Sequence, residues 1–96
     1  MKARPKPNPD AKIVDEAPTG LELTDYDYTM LICYLRLLEA EREGADWREV
    51  SHIVLKIDPG KHYARTQKMY ESHIARARWM SEHGFRNLLR EANQDW

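Results

Sequence analysis

The fold of this chain is decided by the stretch from Asp46 to His83, which reads DWREVSHIVLKIDPGKHYARTQKMYESHIARARWMSEH. Asp46 followed three residues later by Glu49 has the spacing of a capping box and predicts the start of a helix. This short helix is predicted to end by about Leu55 or Lys56. Its apolar residues recur on one face, which we expect to be buried; they are Trp47, Val50, Ile53 and Val54.

Turn chemistry follows this helix at Asp58-Pro59-Gly60. Proline fixes its own φ and glycine accepts a positive φ, so the three residues predict a tight turn. A longer helix is predicted next, from about Ala64 to His83, and Gly84 stands where a helix closes. A short helix, a tight turn and a longer helix with a one-sided row of basic residues form the outline of a helix-turn-helix unit, which usually reads DNA.

The long helix has two predicted faces. The inward face consists of Thr66, Tyr70, His73, Ile74, Ala77 and Met80, and the outward face consists of Arg65, Lys68, Ser72, Ala75, Arg76 and Trp79. A basic outward face suits phosphate contact, although a solvated charged face explains it as well. If the unit reads DNA, the contacting residues are Lys61, Arg65, Lys68 and Arg76. Trp79 either packs under a following helix or anchors an interface.

A further helix is predicted ahead of this unit, from Thr24 to about Glu43. Thr24 and Asp27 have capping-box spacing, and Gly44 stops the helix. Its apolar residues form two rows: Tyr28, Leu31, Tyr34, Leu35 and Leu38 in the first, and Tyr26, Met30, Cys33, Leu37 and Ala40 in the second. Either the helix is central and packed on both sides, or the second row is exposed for a partner.

Residues 1–20 contain four of the chain's five prolines, which deny the backbone donors that helices and sheets need. We therefore expect a disordered, basic and proline-rich arm, followed by a helix-turn-helix-like domain over residues 21–96. Such an arm could instead touch a DNA minor groove, and Ile13 and Val14 could dock on the domain. With a short last helix from Phe85 to about Ala92, the predicted fold class is all-α: a compact domain of about four helices behind a flexible arm.

Charge is divided unevenly along the chain, whose formal net charge is −1. Residues 21–55 hold eight acidic and three basic side chains, whereas residues 56–96 hold five acidic and eight basic ones. Asymmetry of this kind bears on the choice of partner. No apolar run approaches the roughly 20 residues of a membrane span, the basic start is not typical of a secretory signal, and Cys33 is the only cysteine. We therefore expect a cytoplasmic protein without disulfides or membrane contact.

Residues that would support catalysis or metal binding are scattered along the sequence. No two of the four histidines, His52, His62, His73 and His83, belong to the Cys/His spacing of a zinc site, and His73 is expected to be a hydrogen-bonded core histidine. There is no phosphate-cradling glycine loop and no nucleophile elbow. The sequence therefore predicts a protein that is not an enzyme and uses no cofactor or metal.

Two runs of sequence resemble a known family. The first is ADWREV at residues 45–50, followed by IVL at 53–55 and IDP at 57–59; the second is ESHIARARWM at 71–80, closed by EHGFRNLLR at 82–90. They resemble a family of proteobacterial helix-turn-helix variants that is related to the RovC DNA-binding domain and includes the excision activator FseA and the antiactivator QseM. The resemblance spans about residues 23–90.

This resemblance implies two uses of the fold: activators bring the domain to promoters, and antiactivators bind activators and hold them inactive. As a lone and slightly acidic domain, the chain looks more like QseM. We therefore expect an antiactivator of a TraR-like quorum-sensing regulator or an FseA-type excision activator, which represses excision and transfer of integrative and conjugative elements. The alternative is a helix-turn-helix DNA-binding transcription factor of the same family. The antiactivator's protein-binding residues would be Tyr26, Met30, Cys33, Leu37, Glu39, Glu41, Glu43 and Trp79.

Overall fold

The structure, a computed structural model, describes residues 4–92, and within them the regular secondary structure is entirely helical. Five helices follow one another: α1 (Asp25–Thr29), α2 (Leu31–Arg42), α3 (Trp47–Val54), α4 (Tyr63–Glu82) and α5 (Arg86–Ala92). This confirms the predicted all-α class. Residues 1–3 of the predicted arm and residues 93–96 of the predicted domain lie outside the described range.

The first predicted helix is divided into α1 and α2 at Met30, whose φ of −90° and ψ of 4° leave the helical region. The predicted capping box is present at its start, because the Thr24 hydroxyl accepts the Asp27 N–H and the Asp27 carboxylate accepts the Thr24 N–H. Hydrogen bonds continue through the break, since the Met30 N–H donates to the Tyr26 carbonyl at 2.9 Å. With no glycine or proline at the break, the sequence carries no signal for it.

Helix α2 lies at the centre of the domain and contacts each of the other four helices. Its first row contributes Leu31 and Tyr34 to the core, and its second row contributes Met30, Cys33 and Leu37. The prediction of a centrally packed helix is therefore confirmed, and the alternative of an exposed second row is wrong. Burying a side chain as large as methionine or leucine contributes about 1.5–3 kcal/mol, so both rows serve the stability of the fold.

Helix α3 packs on α2 and α4 through a narrower face than expected. Val50 is buried and Trp47 and Val54 are half-buried, but Ile53 is 73% exposed, which corrects its predicted place in the core. The last inward position is taken by Leu55, just after the helix. Asp46 caps α3 by accepting the Arg48 N–H at 2.8 Å, rather than the N–H of Glu49.

The connection between α3 and α4 contains the predicted turn, although a different residue takes the unusual backbone angle. The Asp58 carboxylate accepts the Gly60 N–H at 2.8 Å, and the Asp58 carbonyl accepts the His62 N–H at 3.0 Å. Gly60 does not have a positive φ; Lys56 does, at 57°. The left-handed residue therefore lies directly after α3, and the turn that the Asp58 side chain stabilises needs none.

Residues 4–23 contain no helix or strand, as the prolines predict, and they lie against the helical domain. The Asn8 N–H donates to the Thr29 carbonyl at 2.9 Å, Ile13 packs against the core, and Ala17 is buried. The docking of Ile13 that was left open by the sequence is therefore present. The mobility of this arm in solution stays a prediction.

Candidate interaction site

Arg76, one of the four predicted DNA contacts, lies inside the domain with 3% of its surface exposed. Its guanidinium forms two parallel bonds with the Asp27 carboxylate, Nη2 to Oδ2 at 2.8 Å and Nε to Oδ1 at 3.1 Å. It also donates to the backbone carbonyls of Gly20 and Glu22. The prediction that Arg76 contacts DNA is wrong, because its donors are already taken up within the core.

Asp27 is fully buried and remains charged in this arrangement. Burial alone would raise its pKa, but hydrogen bonds from Arg76, from the Thr24 N–H and from the Tyr34 hydroxyl outweigh that effect and lower the pKa. This one carboxylate therefore takes part in the cap of α1, accepts a hydrogen bond from α2 and forms an ion pair with α4. The cluster is structural, since it joins three helices and exposes almost none of its charge.

Trp79 packs where α4 meets the last helix. Its ring lies 5.6 Å from the Phe85 ring and is stacked at 5.2 Å on His83. The Arg76 guanidinium carbon lies 4.3 Å from the centre of the same ring, within cation–π range. Of the two roles that the sequence left open, packing beside the last helix is the one that the contacts support.

The other three predicted DNA contacts are on the surface. Arg65 forms an ion pair with Asp15 of the arm, Nη2 to Oδ1 at 2.8 Å. Lys61 and Lys68 are exposed and make no ion pair within residues 4–92. The arm thus neutralises part of the basic face. The sequence contained a signal for this, because acidic residues stand among the basic ones of the arm.

Tyr26 and His73 form a hydrogen-bonded pair at the inner edge of the arm. His73 Nδ1 lies 2.7 Å from the Met69 carbonyl; because a carbonyl only accepts, Nδ1 carries the proton. Nε2 then accepts from the Tyr26 hydroxyl at 2.7 Å, and that hydroxyl accepts the Val14 N–H at 3.2 Å. Burial lowers the pKa of His73 and raises the pKa of Tyr26 to about 12. The prediction of a satisfied core histidine is confirmed.

The predicted protein-binding residues divide between core and surface. Met30, Cys33 and Leu37 are fully buried, and burial raises the pKa of the Cys33 thiol. These three cannot touch a partner while the domain is folded, which corrects their assignment. Tyr26 and Trp79 are half-buried in the contacts described above, and Glu41 is paired with Arg78. Glu39 and Glu43 are exposed, as a binding surface requires.

Glu39 and Glu43 lie one turn apart on the exposed side of α2 at its C-terminal end, whereas Glu41 faces α4; with Asp46 and Glu49 they form the acidic segment that we call the acidic edge. Within the described part of the chain, Asp46 pairs with Arg48 at 2.7 Å and Glu41 pairs with Arg78. Glu39, Glu43 and Glu49 are exposed and have no such pair there. Arg36 and Arg42 are also exposed, three residues to either side of Glu39 on α2, so they offset part of this negative charge.

An aromatic cluster of Trp47, Tyr63 and Tyr70 adjoins the acidic edge. The Trp47 ring lies 5.5 Å from the Tyr63 ring and 6.0 Å from the Tyr70 ring, and Tyr63 is 55% exposed. Burial raises the pKa of Tyr70, and the charge of nearby Glu41 raises it further. Sequence reasoning missed this cluster because its members come from two helices; the seven-residue spacing of the tyrosines on α4 was the available signal.

No protein-family model matches the chain, and searches for similar curated proteins and for similar solved structures found no match either. Among residues 4–92, no group of three or more His, Cys, Asp or Glu side chains could hold a metal ion. No helix in that part of the chain is both long and apolar enough to cross a membrane. The arrangement of the surface residues is therefore the basis for a functional proposal.

Proposed function

We propose that this protein is an antiactivator, a small helical domain that binds a transcriptional activator and keeps it from its promoter. The partner is a TraR-like or FseA-type activator, and the outcome is repression of the excision and transfer of an integrative and conjugative element. The sequence resemblance supports the identity of the partner. The distribution of charge on the domain supports binding to protein rather than to DNA.

The observation that carries this proposal is the location of the basic residues of α4 and the contacts that they make. A DNA reader needs several exposed cations to neutralise phosphates, because phosphate contacts dominate its affinity. Arg76 is in the core, and Arg65 is paired with Asp15 while the arm is docked, so two of the four predicted DNA contacts are taken up in this conformation. This favours the antiactivator over the alternative, a DNA-binding transcription factor.

The surface that suits an activator is the acidic edge with its neighbouring aromatic cluster. The DNA-binding surface of an activator is basic, so an acidic edge would steer it electrostatically and compete with DNA for its charge. Partly exposed aromatic side chains such as Tyr63 and Trp47 are typical anchors of protein interfaces. These surface residues replace Met30, Cys33 and Leu37 as the expected contacts.

A mobility-shift titration at low salt tests this proposal directly. The duplex comes from an excision-gene promoter, and the activator is the second component. We expect the protein alone to leave the duplex unshifted. Added to the activator–duplex complex at rising concentration, it should reverse the shift that the activator causes. A shift of the duplex by the protein alone, with no effect on the activator, would favour the transcription factor instead.

Charge-reversal variants locate the surface. Glu39→Lys combined with Glu43→Lys should weaken release of the activator by about tenfold, because it inverts the charge of the acidic edge. The matched control is Glu82→Lys combined with Glu91→Lys, which makes the same charge change at exposed positions of α4 and α5. Equal loss in both double variants would exclude the acidic edge as the specific contact. Tyr63→Ala should also weaken release if the aromatic cluster is an anchor.

A further inference from the structure

The arm crosses a basic groove beside the connection between α3 and α4. The groove has a volume of about 470 Å³ and is bounded by residues 11–13 on one side and by residues 55–62 and the start of α4 on the other. The domain contributes three cationic side chains to its lining, Lys56, Lys61 and Arg65, and one acid, Asp58; the arm adds Lys12. An adjoining groove of about 710 Å³ shares Arg65 and adds Lys68, together with the acidic Asp15, Glu16 and Glu71. On the domain's side of the first groove, cations therefore outnumber acids.

Two acidic residues of the arm form ion pairs with cations of this surface. The Asp10 carboxylate lies 2.9 Å from Lys56 Nζ, and the Asp15 carboxylate lies 2.8 Å from Arg65 Nη2. The hydrogen bond from the basic partner lowers the pKa of each carboxyl, so both are charged at neutral pH. Each aspartate therefore pairs with a cation that lines the groove, and Asp15 also lines the adjoining groove.

The polar contacts that hold this part of the arm are few and mostly exposed, whereas Ala17 is buried and Ala11 and Ile13 pack against the core. The side chains of both ion pairs are between 49% and 82% exposed, so water and salt screen them. The backbone adds two hydrogen bonds, from the Val14 N–H to Tyr26 and from the Ala17 N–H to the Ser72 hydroxyl at 3.0 Å. A polyanion that engages several cations at once can compete with contacts of this kind.

We propose that residues 10–17 form an acidic strap, which keeps the basic groove from the phosphate backbone of duplex DNA. Lys61, Arg65 and Lys68 lie at the end of the connection and in the first turns of α4, so their backbone positions span about 10 Å along the helix direction. Laid along the DNA axis, that length corresponds to about three base pairs, at roughly 3.4 Å of rise each. When the strap is displaced, Lys56 and Arg65 join Lys61 and Lys68 as available cations. This inference goes beyond the antiactivator proposal and does not depend on it.

The test measures duplex binding by fluorescence anisotropy from about 50 to 200 mM salt, with the full chain and no activator. Asp10→Asn combined with Asp15→Asn opens the strap. Asp25→Asn combined with Glu82→Gln removes the same charge from exposed acids outside it. We expect the strap variant to bind about tenfold more tightly at low salt than the control. The slope of log affinity against log salt concentration should become steeper by about 1.8, because two more phosphates are contacted and each adds about 0.9.

A second variant fixes the position of the duplex. Adding Lys56→Gln and Arg65→Gln to the strap variant should return affinity and salt slope to those of the full chain, with helical circular dichroism as the check on folding. Equal affinity and slope in the strap variant and the charge control would overturn the proposal. A gain that survives the loss of Lys56 and Arg65 would also overturn it, because the duplex would then lie elsewhere.

Discussion

Two of the ion pairs between α4 and the preceding chain join an arginine to an aspartate at the same distance and differ in burial. Arg76 to Asp27 and Arg65 to Asp15 are both 2.8 Å apart. The side chains of the first pair are 2% and 0% exposed, and those of the second are 54% and 64% exposed. Removing one partner from a buried pair leaves an uncompensated charge in the core, whereas an exposed pair can exchange with water or with another ion. The first pair therefore belongs to the fold and the second is open to competition.

The largest expected effect comes from breaking the buried pair. Arg76→Ala should lower the free energy of unfolding by about 3–5 kcal/mol, because it leaves the Asp27 carboxylate in the core without its cation. The effect is measured by urea denaturation followed by circular dichroism. The control is Arg78→Ala, which removes an arginine from an exposed pair on the same helix. Similar losses in the two variants would contradict the distinction between the pairs.

A second large effect separates core from surface on α2. Leu37→Ala should cost about 2–5 kcal/mol, because it leaves a cavity where a fully buried side chain had packed. Leu37→Asp should prevent stable folding, since it places an unpaired charge there. Glu39→Ala, two residues along the same helix and exposed, is the control and should leave the urea midpoint almost unchanged. A helical Leu37→Asp variant that lost only partner binding would restore the second row as an interface.

An intermediate effect is expected from pH through His73. Burial lowers the folded-state pKa of His73 below its ordinary value of 6.5, so the unfolded chain takes up a proton that the folded chain resists. Stability is therefore complete above pH 6.5 and falls as the pH drops from there toward the lowered pKa. Asp27 adds a further loss below pH 3.8, as the pH falls toward its own lowered pKa.

Urea midpoints between pH 7.5 and 4.5 would measure the histidine contribution. His73→Gln should flatten the decline below pH 6.5, because glutamine does not titrate, even if the variant is less stable at neutral pH. His52→Gln is the control, since His52 is exposed on α3 and should leave the decline in place. A His73→Gln profile with the same slope as the full chain would assign the pH dependence to other groups.

Local signals in the sequence predicted most of the fold. Thr24 with Asp27 starts a helix as expected, and Gly44 and Gly84 close helices with φ of 73° and 90°. Each of these depends on residues within a few positions of one another. The missed features depend on distant parts of the chain: Arg76 was assigned to the outward face by its position along the helix, but its ion pair with Asp27, 49 positions earlier, lies in the core.

The candidate site was predicted less completely for the same reason. The spacing of apolar residues on α2 correctly indicated two apolar faces. Spacing cannot show which of these faces is covered by another helix; that depends on the packing of α2 among the other four helices. The acidic residues Glu39 and Glu43 were proposed for their charge, and both are exposed. The partners of Asp10 and Asp15 on the domain could not be inferred without the path of the arm.

The smallest expected effect on stability comes from the exposed pair. Asp15→Asn should leave the urea midpoint unchanged, because a screened pair contributes little to the global equilibrium. The same change should nevertheless increase hydrogen exchange at the Ala17 amide, whose bond to the Ser72 hydroxyl holds the adjoining residues of the arm. Added salt should have the same effect on the full chain, since it screens the same attraction. Unchanged exchange at Ala17 would show that apolar burial of the alanine, and not the ion pair, keeps the arm in place. In that case a polyanion could bind Arg65 without displacing the arm. The two ion pairs would then differ in exposure, but neither would control the position of the arm.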